Sequence, residues 1–497
     1  MAVSLATRGA FLGAEILDLD EAAHAVGSWE LLRGRLLYTD FADHKPPLLY
    51  VYYALAQLLL GRGLCAVRVL TVLVTVPLTA YGVSACFRHD RHGRIAGFTF
   101  LVASASFLAH DMHSVNAELL FLLPATWALV LLRDEATATR AVRCASAGAL
   151  LGLAVLFKYQ AALWLPAAAI AVLLAGPILP GARAAFLLVI GGALPPLVAY
   201  LAFVALGGEA GFLYWNVGHN LLYAANPIPL SEALGRAASY LLPFLVVTAP
   251  LWIGWRRSQR SSPSFHLWRL ASLVLAASFI SALLGLRFYP HYFVPLYVPL
   301  AMGAAPWVAE QLRTPLRRGG RILLGWAAVA LLGFTGANAW LYFGHANVYE
   351  ETDPAFRRVA ERLRADACFE RASLFVWGFA PMLYYYADRP VASRFVMPQA
   401  SLTGYVPGNP ASRSSELATD SLIQPEHWDW LLADLASNRP AYILDTAPSG
   451  LHGWDRYPLR AYPRLMDLVR RAYEPLDSVD DVHIYRRRGC AAGARRR

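Results

Sequence analysis

The chain has 497 residues, of which 57 % are hydrophobic and only 16 % are charged, and its mean hydropathy is +0.41. Soluble domains are about 45–50 % apolar and about 25 % charged, so this composition excludes a disordered, fibrous or nucleic-acid-coating protein and predicts many membrane spans. The net charge of +10 comes from arginine, since Lys45 and Lys158 are the only lysines in the sequence. We attribute this bias to genomic base composition rather than to a polyanionic partner.

Residues 1–63 precede the first long apolar run and form the first predicted segment of the chain. Within it, residues 46–60 are apolar, but a stretch of about fifteen residues could span the membrane, re-enter it or lie in its interface. No signal peptide or earlier span precedes this segment, and we expect an upstream transmembrane helix to be missing from the sequence.

Residues 64–345 predict a multi-span transmembrane domain, so the fold class is a polytopic α-helical membrane protein with about 10–11 transmembrane helices. A span needs about 17–25 apolar residues, and fewer suffice where protein covers part of the helix. Ten runs meet this condition, although the fourth and fifth are short. The runs are 64–86, 94–109, 115–132, 143–157, 161–179, 184–206, 237–255, 270–286, 290–310 and 322–344.

Arginines in the loops predict how these helices cross the membrane. Five alternate loops carry 15 positive residues, whereas the four loops between them carry only Lys158, Arg236 and Arg287. Positive residues concentrate in cytoplasmic loops, so the arginine-rich loops are predicted to be cytoplasmic. Ten helices after residue 63 then leave both chain ends outside, and residues 46–60 do not cross. The pattern predicts a cell (inner) membrane protein whose terminal segments face the periplasm or exterior.

Residues 346–497 alternate helical and strand patterns, which predicts a C-terminal extracytoplasmic α/β domain. The predicted helices lie at 353–370 and 460–473, the strands at 373–378, 441–444 and 481–485, and a long loop at 398–421. The five cysteines have no C-x-x-C spacing and predict no metal or disulfide framework. Cys368 and Cys490 share this domain, and a bridge between them is one alternative in an oxidising compartment.

The polar residues that are costly near a membrane all fall on its predicted outer side. Ionisable groups at membrane depth usually pair, line a cavity or take part in chemistry. The alternative is that outer loops simply need polar residues. The set comprises Asp20, Glu21, His24, Asp43 and Lys45, then His110, Asp111, His113, Asn116 and Glu118, then 158–160, 215–220 and 287–292.

Several of these candidates also have a plain structural explanation. Acidic residues such as Asp20 and Glu21 favour the first turn of a helix, here predicted at 22–33. Lys45 precedes two prolines that hold it extended where the chain meets the membrane. A cation there suits a lipid phosphate, but it could equally be a lysine that reaches from apolar surface to the interface. Residues 287–292 could form an aromatic interface belt.

Taken in order along one face, these motifs resemble the GT-C glycosyltransferases of the protein O-mannosyltransferase and lipid A aminoarabinose transferase type. The resemblance covers roughly residues 15–400. It rests on an acidic pair in the first outer segment, a Lys-Pro-Pro-Leu motif, an acid that opens a later span, a lysine at a span end and a Tyr-rich segment. These are Asp20-Glu21, Lys45-Pro46-Pro47-Leu48, 116–119, Lys158 and 287–293.

The resemblance implies a polyprenyl-phosphate sugar donor, used outside the cytoplasmic membrane, and a hydroxyl acceptor on an envelope lipid, glycan or protein. An acceptor hydroxyl needs a base, for which we expect Asp20 with Glu21 as the catalytic pair. The leaving lipid phosphate gains negative charge, which fixed cations stabilise, and direct displacement inverts the anomeric centre. The expected donor-phosphate residues are Lys45, Lys158, Arg287, Tyr289, His291 and Tyr292, and the substrate-binding residues are Asp43, His110, Asn116, Glu118, His219 and Asn220.

Three alternatives stay open at this stage. A divalent metal could bind His110, Asp111, His113 and Glu118, although two histidines three apart before a span are also ordinary loop residues. A transporter or lipid flippase also fits many spans with interior polar groups, but no internal repeat is evident. An inactive relative that only binds polyprenyl lipid is the third. We expect no nucleic-acid partner.

Overall fold

A computed structural model describes most of the chain. The described residues are 1–14, 16–106, 112–134, 140–224, 228–259, 264–313, 318–337, 340, 353–397, 400–405 and 420–490. The chain packs as two compact units. The membrane unit comprises Met1–Leu17, Lys45–Leu206 and Leu230–Asn347, and the sheet unit comprises Asp18–His44, Gly207–Pro229 and Val348–Arg497.

Helices dominate both units. In chain order they are α1 (Ala2–Arg8), α2 (Leu19–Leu32), α3 (Pro47–Leu60), α4 (Leu64–Ala85), α5 (Arg91–Ala103), α6 (Ala117–Leu132), α7 (Ala141–Val155), α8 (Tyr159–Leu173), α9 (Ile178–Ala205), α10 (209–224), α11 (Leu230–Val247), α12 (Ala249–Ser258), α13 (Phe265–Leu286), α14 (Pro290–Gln311), α15 (Arg318–Ala337), α16 (Asp353–Arg364), α17 (Met382–Ala387), α18 (Ala400–Thr403), α19 (Pro425–Asn438) and α20 (Pro463–Ala472).

Six of the described helices are long and apolar enough to cross a membrane, namely α4, α9, α11, α13, α14 and α15. At 1.5 Å per residue, the 22 residues of α4 reach about 33 Å, close to the thickness of a bilayer core. Four shorter apolar helices, α3, α6, α7 and α8, include the two runs predicted to be short. These helices make the chain an integral membrane protein.

Burial separates the centre of the membrane unit from its periphery. The most apolar part of α14 is 94 % buried, whereas that of α9 is 17 % buried. Helix α14 is therefore a central helix, and α9 presents its apolar side chains outward. Helices α7 and α9 approach closely because Cβ atoms at Gly148 and Gly191 would collide with the backbone oxygens of Leu188 and Ala145.

Two buried arginines hold the start of the chain within the membrane unit. Arg8 donates to the backbone oxygens of Ser104, at 2.7 Å, and Met112, at 3.1 Å. Arg68 donates to the carbonyls of Phe11 and Ala14. Both side chains are no more than 3 % exposed, so each guanidinium uses carbonyl oxygens in place of water.

The sheet unit contains four strands in the order β1-β2-β4-β3, which are β1 (Leu374–Trp377), β2 (Tyr442–Asp445), β3 (Tyr473–Val479) and β4 (Val482–Arg487). β1 and β2 pair in parallel, and the other two pairings are antiparallel. All residues of β1 and β2 are buried although β1 lies at one edge of the sheet, so both faces of these two strands are covered. The predicted strands at 373–378, 441–444 and 481–485 are confirmed as β1, β2 and β4.

β3, α17, α18 and α19 were not predicted from the sequence, and α18 lies within the predicted loop 398–421. The last predicted helix ran to residue 473, but α20 ends at Ala472, and a strand follows directly. β3 is an edge strand with alternating exposure and contains Pro475, so it lacks the apolar run typical of an interior strand. A bridge between Cys368 and Cys490 was one alternative at the level of the sequence. The two residues form a disulfide with a Cα–Cα distance of 5.8 Å.

Candidate functional site

A group of ionisable side chains lies buried in the membrane unit; we call Glu118, Lys158, His291 and Tyr292 the Glu118 group. Lys158 Nζ lies 2.9 Å from Glu118 Oε1, and His291 Nε2 lies 3.8 Å from the same oxygen. The Lys158 ammonium also lies 5.4 Å from the centre of the Tyr292 ring. Glu118 is 4 % exposed and Lys158 is 6 % exposed, so both charges are almost completely removed from solvent.

Three helix ends bring this group together. Glu118 occupies the first turn of α6, where the helix dipole favours a negative charge. Lys158 follows the end of α7 in extended backbone, just before α8. His291 is in the first turn of the central helix α14, directly after Pro290. None of the three is near another in the sequence, so only the packing of these helices creates the group.

The pairing changes what Lys158 can do. A buried charge left alone would cost several kcal/mol, so the Glu118 carboxylate and the Lys158 ammonium require each other. Lys45 also interacts electrostatically with Glu118. The charge of Lys158 is thus engaged by a carboxylate, which suits a residue that positions Glu118. Its predicted role at a donor phosphate stays a prediction.

The predicted 287–292 segment folds into the membrane unit in a compact form. The rings of Tyr289 and His291 stack at 5.7 Å, and Tyr292 lies edge-on to His291 at 4.9 Å. Arg236 covers Tyr289 at 5.2 Å and donates to the backbone oxygen of Arg287 at 3.4 Å. Arg287 is only 3 % exposed, which is unlike a side chain in a lipid-facing belt.

Backbone strain marks the same segment. Leu286 and Phe288 have positive φ angles of 53° and 49°, next to Gly285 at 74°. Non-glycine residues rarely adopt this region, at a cost of about 1–3 kcal/mol each, and such residues cluster at functional sites. The segment therefore holds Leu286 and Phe288, the neighbours of Arg287, in conformations that local preference alone would not select.

The acidic pair lies in the sheet unit. Helix α2 begins at Leu19, three residues before the predicted start, and its N-cap is Asp18, whose side chain accepts from the backbone nitrogen of Asp20 at 3.1 Å. Asp18 is therefore the capping residue, and Asp20 and Glu21 occupy the first turn of the helix, as the plain structural explanation predicts. Glu21 is fully buried and Asp20 is partly exposed at the first turn, where the helix dipole stabilises both carboxylates.

A second cluster in the sheet unit, which we call the His219 group, comprises Asp43, His44, His219, Asn220 and His427. Asp43 Oδ1 lies 2.8 Å from His44 Nδ1, and the rings of His44 and His219 lie 5.7 Å apart. Asn220 donates to the backbone oxygen of His44 at 3.1 Å. A π-helical turn, Tyr214–Gly218, precedes His219 and re-aims the end of α10.

His427 is a member that the sequence analysis did not identify. It lies on α19, stacks on Trp430 at 4.5 Å and lies 5.7 Å from the ring of Trp215, which also contacts His219. The one signal for it was a histidine among tryptophans, which is weak. Asp43, His44 and Trp215 also line a small cavity with Ala42, Phe395, Met397 and Ser401.

Burial keeps the two inner histidines of this group neutral. It lowers the pKa of His219 to about 3; His44 lowers that pKa further, Asp43 partly opposes the shift, and His427 adds the smallest lowering. Burial, together with the Arg394 guanidinium, lowers the pKa of His427 to about 4. His219 Nδ1 and His427 Nδ1 have no hydrogen-bond partner among the described residues.

The remaining predictions divide between the units. Lys45, Asn116 and Arg287 belong to the membrane unit, and Asn116 donates to the Ser114 hydroxyl at 2.6 Å. His110 and Asp111 lie outside the described residues. Within the described part of the chain, no group of three or more His, Cys, Asp or Glu residues is arranged to hold a metal ion.

Comparison with known proteins identifies the fold. No protein-family model and no curated protein matches the chain. Among solved structures, it is similar to ArnT from Cupriavidus metallidurans bound to undecaprenyl phosphate, with a TM-score of 0.61, 13 % identity and coverage of 97 % of this chain and 96 % of that chain. It is also similar to ArnT from the same organism in the apo state, with a TM-score of 0.54, 14 % identity and coverage of 94 % and 92 %. The chain therefore has the fold of these ArnT structures, which confirms the predicted architecture of many membrane helices with a C-terminal α/β domain.

Proposed function

We propose that this protein is a glycosyltransferase that moves a sugar from a polyprenyl-phosphate donor to a hydroxyl of a cell-envelope lipid, glycan or protein. The observation that carries the proposal is the buried Glu118 group in a chain with the ArnT fold. Ionisable groups buried among membrane helices are costly and usually functional. One of the two similar ArnT structures contains undecaprenyl phosphate, which is the class of lipid that the proposed donor carries.

The proposed reaction is a direct displacement at the anomeric carbon. The acceptor oxygen forms a bond to that carbon as the carbon–oxygen bond to the lipid phosphate breaks, and the hydroxyl proton passes to a carboxylate. Asp20 is the proposed base, since it is partly exposed while Glu21 beside it is fully buried. The polyprenyl phosphate leaves with its bonding electrons, and the anomeric centre is inverted.

Fixed positive charge should stabilise the leaving phosphate. Lys45 and Arg287 are the proposed cations. Lys158 is assigned a different part because its ammonium is 2.9 Å from Glu118, so we propose that it positions this carboxylate against the acceptor or donor sugar. Tyr289, His291 and Tyr292 complete the proposed phosphate and sugar contacts.

We propose that the reaction takes place on the periplasmic or outer face of the cell membrane. Arginines concentrate in alternate loops, which by the positive-inside rule are cytoplasmic. The Cys368–Cys490 disulfide in the sheet unit also favours an oxidising compartment. Cysteine-accessibility or reporter fusions at residues 20 and 287 test this, and opposite faces for the two would overturn the proposed site.

The test of the activity uses two neighbouring acids in one helix. Asp20→Asn should lower transfer at least about 100-fold, because it removes the proposed base. Asp18→Asn makes the same charge change two residues away and keeps an N-cap, since asparagine caps as well as aspartate, so its activity should remain near that of the unchanged protein.

Each variant is expressed in a strain whose own copy of the gene has been deleted. The measurement is the transfer of a labelled sugar from polyprenyl phosphate to envelope acceptors in membranes of that strain. Mass spectrometry of envelope lipids and glycoproteins, compared between the deletion strain and the same strain expressing the unchanged protein, identifies the sugar and the acceptor. Equal activity of the two variants would exclude Asp20 as the base. Donor lipid crossing the bilayer without any transfer product would favour a flippase.

A further inference from the structure

The membrane unit contains an apolar cleft that runs along most of α5. The cleft has a volume of about 320 Å³ and lies between α5, α12, α14 and α15. Along α5 its wall is formed by one face, with residues spaced at helical periodicity from Arg91 to Val102. The eleven steps from Arg91 to Val102, at a rise of 1.5 Å each, make this wall about 17 Å long.

The cleft has two chemically different parts. Its mouth carries Arg91 and Arg94 in the first two turns of α5. Deeper along the same face lie Ile95, Phe98 and Thr99, and the opposite walls are leucine, valine, alanine and tryptophan side chains. The result is a positive entrance that continues into an apolar channel, which matches a molecule with an anionic head and a hydrocarbon tail.

The two arginines at the mouth are available to a ligand. Both are exposed, and within the described ranges neither forms an ion pair with an acidic side chain. Asp90, which precedes Arg91, accepts from the backbone nitrogen of Gly93 at 2.8 Å as the cap of α5 and pairs with His92, and Asp134 pairs with Arg88. Nothing described within the unit neutralises the entrance.

The arginine mouth of the cleft lies at the end of α5 away from the Glu118 group. Arg8 bonds the carbonyls of both Ser104 and Met112, so the far end of α5 lies beside the segment that leads into α6 and Glu118. The 13 residues of α5 span about 20 Å. The arginine mouth therefore lies roughly that distance along the helix from the end that approaches the Glu118 group.

We propose that this cleft binds an anionic diacyl phospholipid of the surrounding bilayer, with its phosphate at Arg91 and Arg94 and one acyl chain along α5. The length supports this occupant, since one leaflet of a bilayer core is about 15 Å thick and the wall is about 17 Å long. Basic pockets between transmembrane helices bind anionic headgroups by the same charge complementarity. The proposal does not depend on the proposed transferase activity.

The test is native mass spectrometry of the full chain released from detergent with equal amounts of phosphatidylglycerol and phosphatidylcholine of identical acyl chains. The unchanged protein should retain phosphatidylglycerol preferentially. R91Q/R94Q should weaken that binding about 25-fold, because each arginine near an anionic headgroup contributes roughly fivefold. Ile95→Trp keeps the arginines but fills the channel, and should weaken binding about tenfold through lost apolar contact.

The chain offers a matched control. Arg140, the N-cap residue of α7, and Arg143 in its first turn have the same spacing of three residues at a helix start, but they do not line this cleft. R140Q/R143Q should therefore retain phosphatidylglycerol as the unchanged protein does. Equal losses from the two double variants would mean non-specific attraction to basic loops and would overturn the proposal. Equal retention of both lipids, or undiminished binding by R91Q/R94Q, would overturn it as well.

Discussion

The Glu118 group and the His219 group bury ionisable side chains by two different physical solutions. In the membrane unit, Glu118 and Lys158 remain paired as opposite charges at 2.9 Å. In the sheet unit, burial lowers the pKa of His219 to about 3 and that of His427 to about 4, so both are uncharged at neutral pH. A residue with a pKa near neutrality can escape the cost of burial by losing its charge, whereas lysine and glutamate together do better by pairing.

This difference predicts different responses to mutation. Removing one partner of a pair leaves the other charge exposed to an apolar environment. Removing a neutral buried histidine leaves no such charge behind. The two groups can therefore be distinguished by stability measurements that do not involve catalysis.

The largest effect is expected when the ion pair is broken. Glu118→Gln leaves the Lys158 ammonium buried without its partner and should lower the free energy of unfolding by about 3–5 kcal/mol. Thermal unfolding of the full chain in detergent measures this.

The double variant E118Q/K158M provides the control, because it removes both charges. Its stability should return most of the way to that of the unchanged protein, while sugar transfer should stay lost if the carboxylate takes part in the reaction. Additive losses in the double variant would mean that the two residues do not act as a pair.

The next effect depends on pH. The ordinary histidine pKa is 6.5, and His219 and His427 have lower values in the folded chain, so as the pH falls the unfolded chain binds protons first. The contribution of the two neutral histidines to stability is complete above about pH 6.5. It is lost as the pH falls from there toward their pKa values in the folded chain. The loss should be on the order of 1–2 kcal/mol per histidine at pH 5.

H219Q/H427Q should flatten this dependence, which urea unfolding of the full chain between pH 7.5 and about 4.5 would measure. His483 is exposed on β4, and His483→Gln should leave the slope as it is. A slope that is the same in all three proteins would contradict the burial of neutral histidines.

The smallest effect concerns the ring above Lys158. Tyr292→Leu removes a cation–π contact at 5.4 Å and should lower the free energy of unfolding by about 1 kcal/mol, whereas Tyr292→Phe keeps a ring and should lose less than half of that. The same thermal unfolding assay compares them. Equal losses in the two variants would mean that the tyrosine hydroxyl, and not the ring face over Lys158, makes the contribution.

Much of the architecture could be predicted because its signals are local. A run of about twenty apolar residues predicts a membrane helix wherever it lies, and short apolar runs predict buried strands such as β1 and β2. β3 escaped prediction because an exposed edge strand with a proline has no such run. α19 escaped because its tryptophans and histidine gave no clear apolar stripe.

The candidate site was predicted only one residue at a time. Glu118 and Lys158 stood out because each is a costly charge at the edge of an apolar helix. Their partnership could not be predicted, since it depends on how α6, α7 and α14 meet. In the same way, the sequence could not predict which side chains surround His427. It could not predict the cleft that Arg91 and Arg94 line either.

By itself, the sequence determined that this is a membrane protein, where its helices lie and which polar residues need an explanation, because hydropathy and charge act over a few residues. Only the tertiary structure decided which of those residues pair, which lose their charge and which stay open to a ligand. The physical reason is that the energy of a charge depends on what surrounds it, and those surroundings come from helices and strands far apart in the chain.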